Sequence, residues 1–252
     1  MSNTYNPTSA APVPQDALRL RPAAERGHAD HGWLKSAHSF SFASYHDPRH
    51  MGFHALRVIN DDRVAGGGGF PTHPHRDAEI FSYVLDGALS HRDTMGTAST
   101  VRAGGVQFMT AGSGVAHSEF NASRDTPVHF LQVWLLPKAS GANPRYETLD
   151  VASEDKDGRL VPIVSEDGRA GGVATHAPAD VYAATLRDGQ EVTFDLREGR
   201  AGWVQVARGS LSVNGQRLEE GDGLAVTASG RLTFSEAEDA EFLLFDLAKL
   251  NS

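Results

Sequence analysis

The sequence contains no cysteine. That absence excludes disulfides, iron–sulfur clusters, thiolate metal sites and a cysteine nucleophile. No apolar run approaches the roughly 18 residues of a membrane span. Residues 1–17 are rich in Ser, Thr, Asn, Pro and Ala and lack an apolar h-region, so no signal peptide is expected and the cytoplasm is the expected compartment. Basic residues are in the minority: 23 Lys and Arg against 32 Asp and Glu leave a formal net charge of −9. That balance argues against bulk attraction to nucleic acid or anionic lipid. No segment carries sustained helical periodicity bounded by caps. Histidine is scarce in one half only: of 12, 11 precede residue 130 and His176 alone follows. Whatever needs imidazole sits in the first half.

What is present is the composition of a folded chain, 40% hydrophobic and 22% charged over 252 residues, enough for a sizeable core. Residues 1–16 read as a flexible tail, 17–150 as a first domain dense in His, aromatics and Gly, and 151–252 as a second. Short runs at 56–59, 80–85, 106–109, 130–136, 160–164, 191–196, 203–207, 211–213, 224–226 and 241–246 are bounded by Gly, Asp and Asn. Asp86-Gly87 and Asn214-Gly215 are hairpin signals. This spacing predicts an all-β sandwich or barrel. The pattern V-x-x-G-x-L-S occurs at Val84 and again at Val206, each copy ahead of a Gly-rich stretch, Gly104-Gly105 and Gly221-Asp222-Gly223. Two similar β domains joined near residue 150 are therefore expected.

The chemistry is carried by Thr72-His73-Pro74-His75 and His117-Ser118-Glu119. Residues i and i+2 of a strand share a face, so each pair projects two ligands to one side. Pro74 lacks an amide proton, which places its pair at a strand start or edge. An isolated H-x-H is more often surface or core than ligand. Two such pairs converging in one small domain point to a metal. Imidazoles with a carboxylate suit Fe, Mn, Co, Ni, Cu or Zn, not Ca or Mg. Glu79 is a second candidate carboxylate, and strand parity does not separate it from Glu119. Counting back from Gly209 puts Asp195 and Arg197 where the first copy has His73 and His75, so the second domain is expected to be metal-free. His28, His31, His38, His46, His50 and His54 are read as ordinary hydrogen-bonded or surface histidines, with an orienting role possible for one or two. His91 and His129 receive no assignment. Phe40, Phe42, Phe70, Phe108, Met109 and Phe120 are read as core, some of them as cavity wall, and 66–69 as a loop at the pocket rim.

Longer stretches resemble a known family. His31-Gly32-Trp33-Leu34, His38-Ser39-Phe40-Ser41-Phe42, Leu56-Arg57-Val58-Ile59-Asn60-Asp61-Asp62, Gln107-Phe108-Met109-Thr110-Ala111-Gly112-Ser113-Gly114, Leu131-Gln132-Val133-Trp134 and Pro144-Arg145-Tyr146-Glu147, with the two ligand motifs, resemble the pirin family. Within it the likeness is to the bacterial pirin-like quercetin 2,3-dioxygenases. The resemblance implies a bicupin, two cupin-type barrels or jelly rolls. It implies one divalent metal, Fe(II) by preference, in the N-terminal cupin only, on His73, His75, His117 and Glu119. Cupins in general place a glutamate soon after H-x-H, where Glu79 stands; the pirin pattern favours Glu119. The implied activity is oxygen-dependent cleavage of a flavonol such as quercetin, with Glu119 as general base toward the 3-hydroxyl. The implied partners are a small phenolic substrate and O2, with no membrane and no direct nucleic acid, in a monomer. The competing reading is a non-catalytic, redox-sensing metal protein that binds a protein partner. A cupin isomerase or hydrolase is a third.

Overall fold

The computed structural model describes residues 10–168 and 171–249. Its strands are β1 (Leu18–Arg21), β2 (Gly27–Asp30), β3 (Leu34–His38), β4 (Leu56–Val64), β5 (Gly69–His75), β6 (Glu79–Asp86), β7 (Ala88–Asp93), β8 (Ala98–Arg102), β9 (Val106–Thr110), β10 (Val115–Asn121), β11 (Val128–Leu135) and β12 (Arg145–Leu149). A single helical turn, α1 (Ser153–Lys156), leads into the second half. There follow β13 (Val161–Ser165), β14 (Val173–Ala174), β15 (Ala179–Leu186), β16 (Val192–Leu196), β17 (Arg200–Val213), β18 (Gln216–Glu219), β19 (Gly223–Val226) and β20 (Gly230–Ala248). Among the described residues, no helix is long and apolar enough to cross a membrane.

In the first half a seven-stranded sheet, ordered β12-β9-β6-β11-β4-β3-β2, faces a four-stranded sheet, ordered β5-β10-β7-β8. Leu34, Val64, Val84, Val128 and Phe130 of one pack against Leu89 and Val101 of the other. The second half is one sheet, β1-β19-β17-β20-β15-β13-β14, with β16 on β20 and β18 on β17. The two units are open, cupin-type sandwiches rather than closed barrels.

Strand parity explains how they join. Phe81, Tyr83, Phe108, Leu131 and Val133 alternate along β6, β9 and β11, and they form one core with Val181, Ala183, Trp203, Leu243 and Phe245 of the second half. The central strands of the seven-stranded sheet are thus covered on both faces. That is why β6, β9 and β11 read as nearly unbroken apolar runs. Their other face carries Ser82, Gln107 and Gln132, all buried, toward the inside of the first sandwich.

The internal repeat is structural. Val84 N donates to Gly105 O and Gly104 N to Val84 O; in the second copy Val206 N donates to Asp222 O and Gly221 N to Val206 O. Gly87 and Gly209 have φ of 76° and 63°, where a side chain is disfavoured. A Cβ on Gly209 would lie 2.3 Å from Glu238 O.

Two expectations need correction. The stretch from residue 10 to 16 is docked rather than free: Pro12 bridges to Arg231, and Val13 is 2% exposed in the second core. β1 then completes the second sheet by pairing with β19. Residues 1–9 of the expected tail lie outside the described residues. Phe120, read as core, is 41% exposed because it occupies the outward position of β10. Phe40, Phe108 and Met109 are buried as expected.

Candidate metal centre

β5 is the edge strand of the four-stranded sheet and ends at His75, which accommodates Pro74. β10 runs antiparallel beside it, with His117 opposite His73 and Val115 opposite His75. This register turns two sequence-distant motifs into one cluster. One ligand atom from each of His73, His75 and His117 lies within 4.8 Å of the others. The ring centroids are 4.6–4.9 Å apart.

Each imidazole is prepared to give a lone pair. His73 Nδ1 lies 2.8 Å from Pro71 O, a pure acceptor, so it donates there and leaves Nε2 free. His117 Nε2 is buried without a hydrogen-bond partner, which an isolated polar atom does not sustain cheaply. Burial, and then the neighbouring His73, lowers the pKa of His75 to about 4. Burial, and then the charges of His73, His75 and His91, also lowers that of His117. Neutral imidazole is the metal-binding form. The cluster therefore fits a divalent transition metal, by its donor set and by its orphaned nitrogen.

Glu119 stands two residues after His117 on the same face of β10, outside the 4.8 Å imidazole cluster. Its Oε1 accepts from Ser82 Oγ at 3.2 Å and from Gln107 Nε2; its Oε2 accepts from Gln132 Nε2 at 2.7 Å. These are the inward polar residues of β6, β9 and β11. Burial pushes the Glu119 carboxyl up to about 7 against the pull of those three donors. The rival carboxylate points elsewhere. Glu79 Oε2 accepts from Thr110 Oγ1 (3.1 Å), Thr175 Oγ1 (3.0 Å) and His176 N (3.3 Å), tying the first domain to the second.

His73, His75 and Glu119 open into a cavity of about 400 Å³, whose walls also include Phe42, Phe70 and Trp134. Of the six histidines read as ordinary, His31 and His38 line this cavity. His38 is held through Nδ1 by Asn60 Oδ1 at 2.7 Å. Asp62 also lines it, and its Oδ1 is buried without a partner. His91, left unassigned by sequence, reaches His117: their Nδ1 atoms are 3.4 Å apart, and His91 Nε2 lies 2.9 Å from Asp93 Oδ2. The H-x-D spacing of His91 and Asp93 was the available signal. His129 pairs with Asp61 Oδ1 at 2.7 Å instead. In the second domain, Asp195 is occupied by Arg231 through two 2.7 Å hydrogen bonds.

Most of the chain is similar to known proteins. Residues 19–135 match the family model described as Pirin, and residues 162–247 the one described as Quercetinase C-terminal cupin domain. The quercetin 2,3-dioxygenase of Escherichia coli (strain K12) is 45% identical over 231 residues, 91% of this chain and 98% of that protein. A pirin-like protein of Caulobacter vibrioides is 42% identical, over 90% of this chain and 98% of its own. The crystal structure of the bacterial pirin YhhW from E. coli in complex with nickel(II) superposes with a TM-score of 0.88 at 42% identity, covering 92% of this chain and all of that one.

Proposed function

The chain belongs to the pirin family, and from that membership we propose that it is a metal-dependent dioxygenase opening the ring of a flavonol such as quercetin, in the cytoplasm, with Fe(II) held by His73, His75, His117 and Glu119. The observation that carries the reading is the juxtaposition of a three-imidazole cluster and a buried carboxylate at the wall of an aromatic-lined cavity. About 400 Å³ lies within the range of small-molecule sites. Phe42, Phe70 and Trp134 supply flat apolar surface for a planar phenol. A divalent metal on this donor set supplies a Lewis-acidic centre with room for an oxyanion. Glu119 lines the same cavity and in this reading takes the proton of the substrate's 3-hydroxyl, with Gln107 and Gln132 hydrogen-bonded to the carboxylate.

The test is oxygen uptake with quercetin by metal-stripped protein reloaded with Fe(II), beside His117→Ala treated identically. Uptake matching quercetin consumption, lost in the variant, is the expected result. Absence of uptake with metal confirmed bound would refute the flavonol reading. The regulator reading would then be followed through protein partners whose binding changes with the oxidation state of the metal.

A further inference from the structure

His117 is linked to a buried chain of polar groups that the ligand set itself does not require. Asp93 is fully committed: Oδ1 accepts the backbone N–H of Met95 (2.9 Å) and of Thr97 (3.0 Å), and Oδ2 faces His91 Nε2 at 2.9 Å. Neither side chain has appreciable exposure, 1% for His91 and 0% for Asp93. An ionised carboxylate can only accept, so His91 Nε2 is the protonated nitrogen. A neutral imidazole has one N–H, which leaves His91 Nδ1 as an acceptor. The group facing it is His117 Nδ1, 3.4 Å away. His117 Nδ1 must then be the donor, and its lone pair is left on Nε2, the buried atom that lacks a partner.

We propose that Asp93 and His91 are positioning residues of the metal centre, a two-step relay that fixes His117 in the tautomer whose Nε2 ligates. Ligating histidines commonly pass their second nitrogen directly to a carboxylate or carbonyl; here a whole imidazole is interposed. The interposed ring is itself held flat. Tyr146 stacks on His91 with centroids 4.1 Å apart, and the Tyr146 hydroxyl donates to Gln107 Oε1 at 3.2 Å. Gln107 in turn donates through Nε2 to Glu119. The supports of His117 and of Glu119 thus meet at one tyrosine, which ties the orientation of the imidazole to that of the carboxylate.

The relay makes an isosteric change damaging. In Asp93→Asn an amide N–H₂ can donate to His91 Nε2, which turns His91 over to the Nδ1–H tautomer. His91 then donates to His117 Nδ1 and drives the His117 proton onto Nε2, where the metal must bind. The same logic makes aspartate-to-asparagine substitution severe in a catalytic triad. The experiment measures Ni(II) affinity by chelator competition for wild type, Asp93→Asn, His91→Phe and His91→Gln. It is paired with the imidazole ¹⁵N spectrum of His117 in the metal-free proteins. Asp93→Asn and His91→Phe should each bind metal about 10- to 100-fold more weakly. His91→Gln, whose carbonyl can accept from His117 Nδ1, should recover part of the loss. The ¹⁵N spectrum should show His117 protonated on Nδ1 in wild type and on Nε2 in Asp93→Asn. Affinities within threefold of wild type in both Asp93→Asn and His91→Phe would overturn the relay, as would Nε2 protonation in wild type. The relay depends on a metal centre and not on the flavonol, so wild type that takes up no Ni(II) would remove the centre, whereas lack of quercetin turnover would leave the relay standing.

Discussion

Two buried glutamates lie close in sequence to the ligand motifs, and exchanging each for glutamine separates binding from stability. Glu119→Gln removes the anionic charge beside the three imidazoles. Removing an outer partner of a ligand already weakens metal binding about 10- to 100-fold. Loss of an inner carboxylate should exceed 100-fold, more than about 2.7 kcal/mol. The metal-free protein should not suffer. Glu119 is held with its carboxyl raised to about 7 by burial, so above neutral pH the uncharged amide is the easier group to bury; its carbonyl can keep Ser82 and Gln107 as donors, and Gln132 can turn its amide to accept from the new N–H₂. Glu79→Gln should do the reverse. Its carboxylate meets Thr110, Thr175 and the His176 amide, none of which touches the imidazole cluster. Ni(II) affinity should stay within about threefold, while weakening of the domain link costs about 1 kcal/mol, or roughly 2–4 °C in melting temperature for a chain of this size. Chelator competition and calorimetry of the metal-free proteins read the two effects. A larger loss of metal affinity in Glu79→Gln than in Glu119→Gln would refute the ligand assignment and the geometry behind it.

Other outcomes follow from buried charges. Asp62 is buried with Oδ1 unpartnered, and burial raises its carboxyl from 3.8 to about 7. A raised carboxylate pKa favours the protonated folded form, so the metal-free protein should lose stability as pH rises from about 4 to about 7. At about 1.4 kcal/mol per unit the ceiling is about 4 kcal/mol. Asp62→Asn should remove that part of the slope in denaturant titrations, and an unchanged slope would refute the assignment. Between the domains, Lys156 Nζ bonds Glu241 and the Tyr83 hydroxyl. Lys156→Met should cost about 3 kcal/mol, at the low end for a broken buried pair because Arg208 Nε stays 3.9 Å from Glu241. Adding Glu241→Leu should restore at least half of it in denaturant unfolding, and a still less stable double variant would contradict a simple charge imbalance.

How much of this was legible depends on what each feature rests on. The strands that read as nearly unbroken apolar runs, β6, β9 and β11, were visible, because both of their faces are buried and each run carries a single polar residue, Ser82, Gln107 or Gln132. β20 was visible only in part: the sequence shows a short run at 241–246, yet the strand begins at Gly230 and passes through Glu236 and Asp239 at φ of 50° and 45°. Bulges of that kind keep the ladder while abandoning the alternation that a sequence reading follows. Short strands such as β2, β8 and β14 carry too few apolar residues to register at all.

The site divides along the same physical line. The proposed ligands His73, His75 and His117 were readable because two side chains on one face of a strand are set by parity, and parity is a local property. Choosing between Glu79 and Glu119 needs to know which face of β6 and β10 meets which neighbour, and that is set by pairing across the sheet. The supporting residues are harder still, since each is defined only by what it touches. Even so, Ser82, Gln107 and Gln132 left a trace: each is the lone polar residue inside an otherwise apolar run, on the face opposite the domain interface. A polar side chain in such a place must be hydrogen-bonded to something, and three of them on adjacent strands can converge on one acceptor. In this fold that acceptor is Glu119. The polar interruptions of the core strands therefore converge on Glu119, which supports the proposed carboxylate over Glu79.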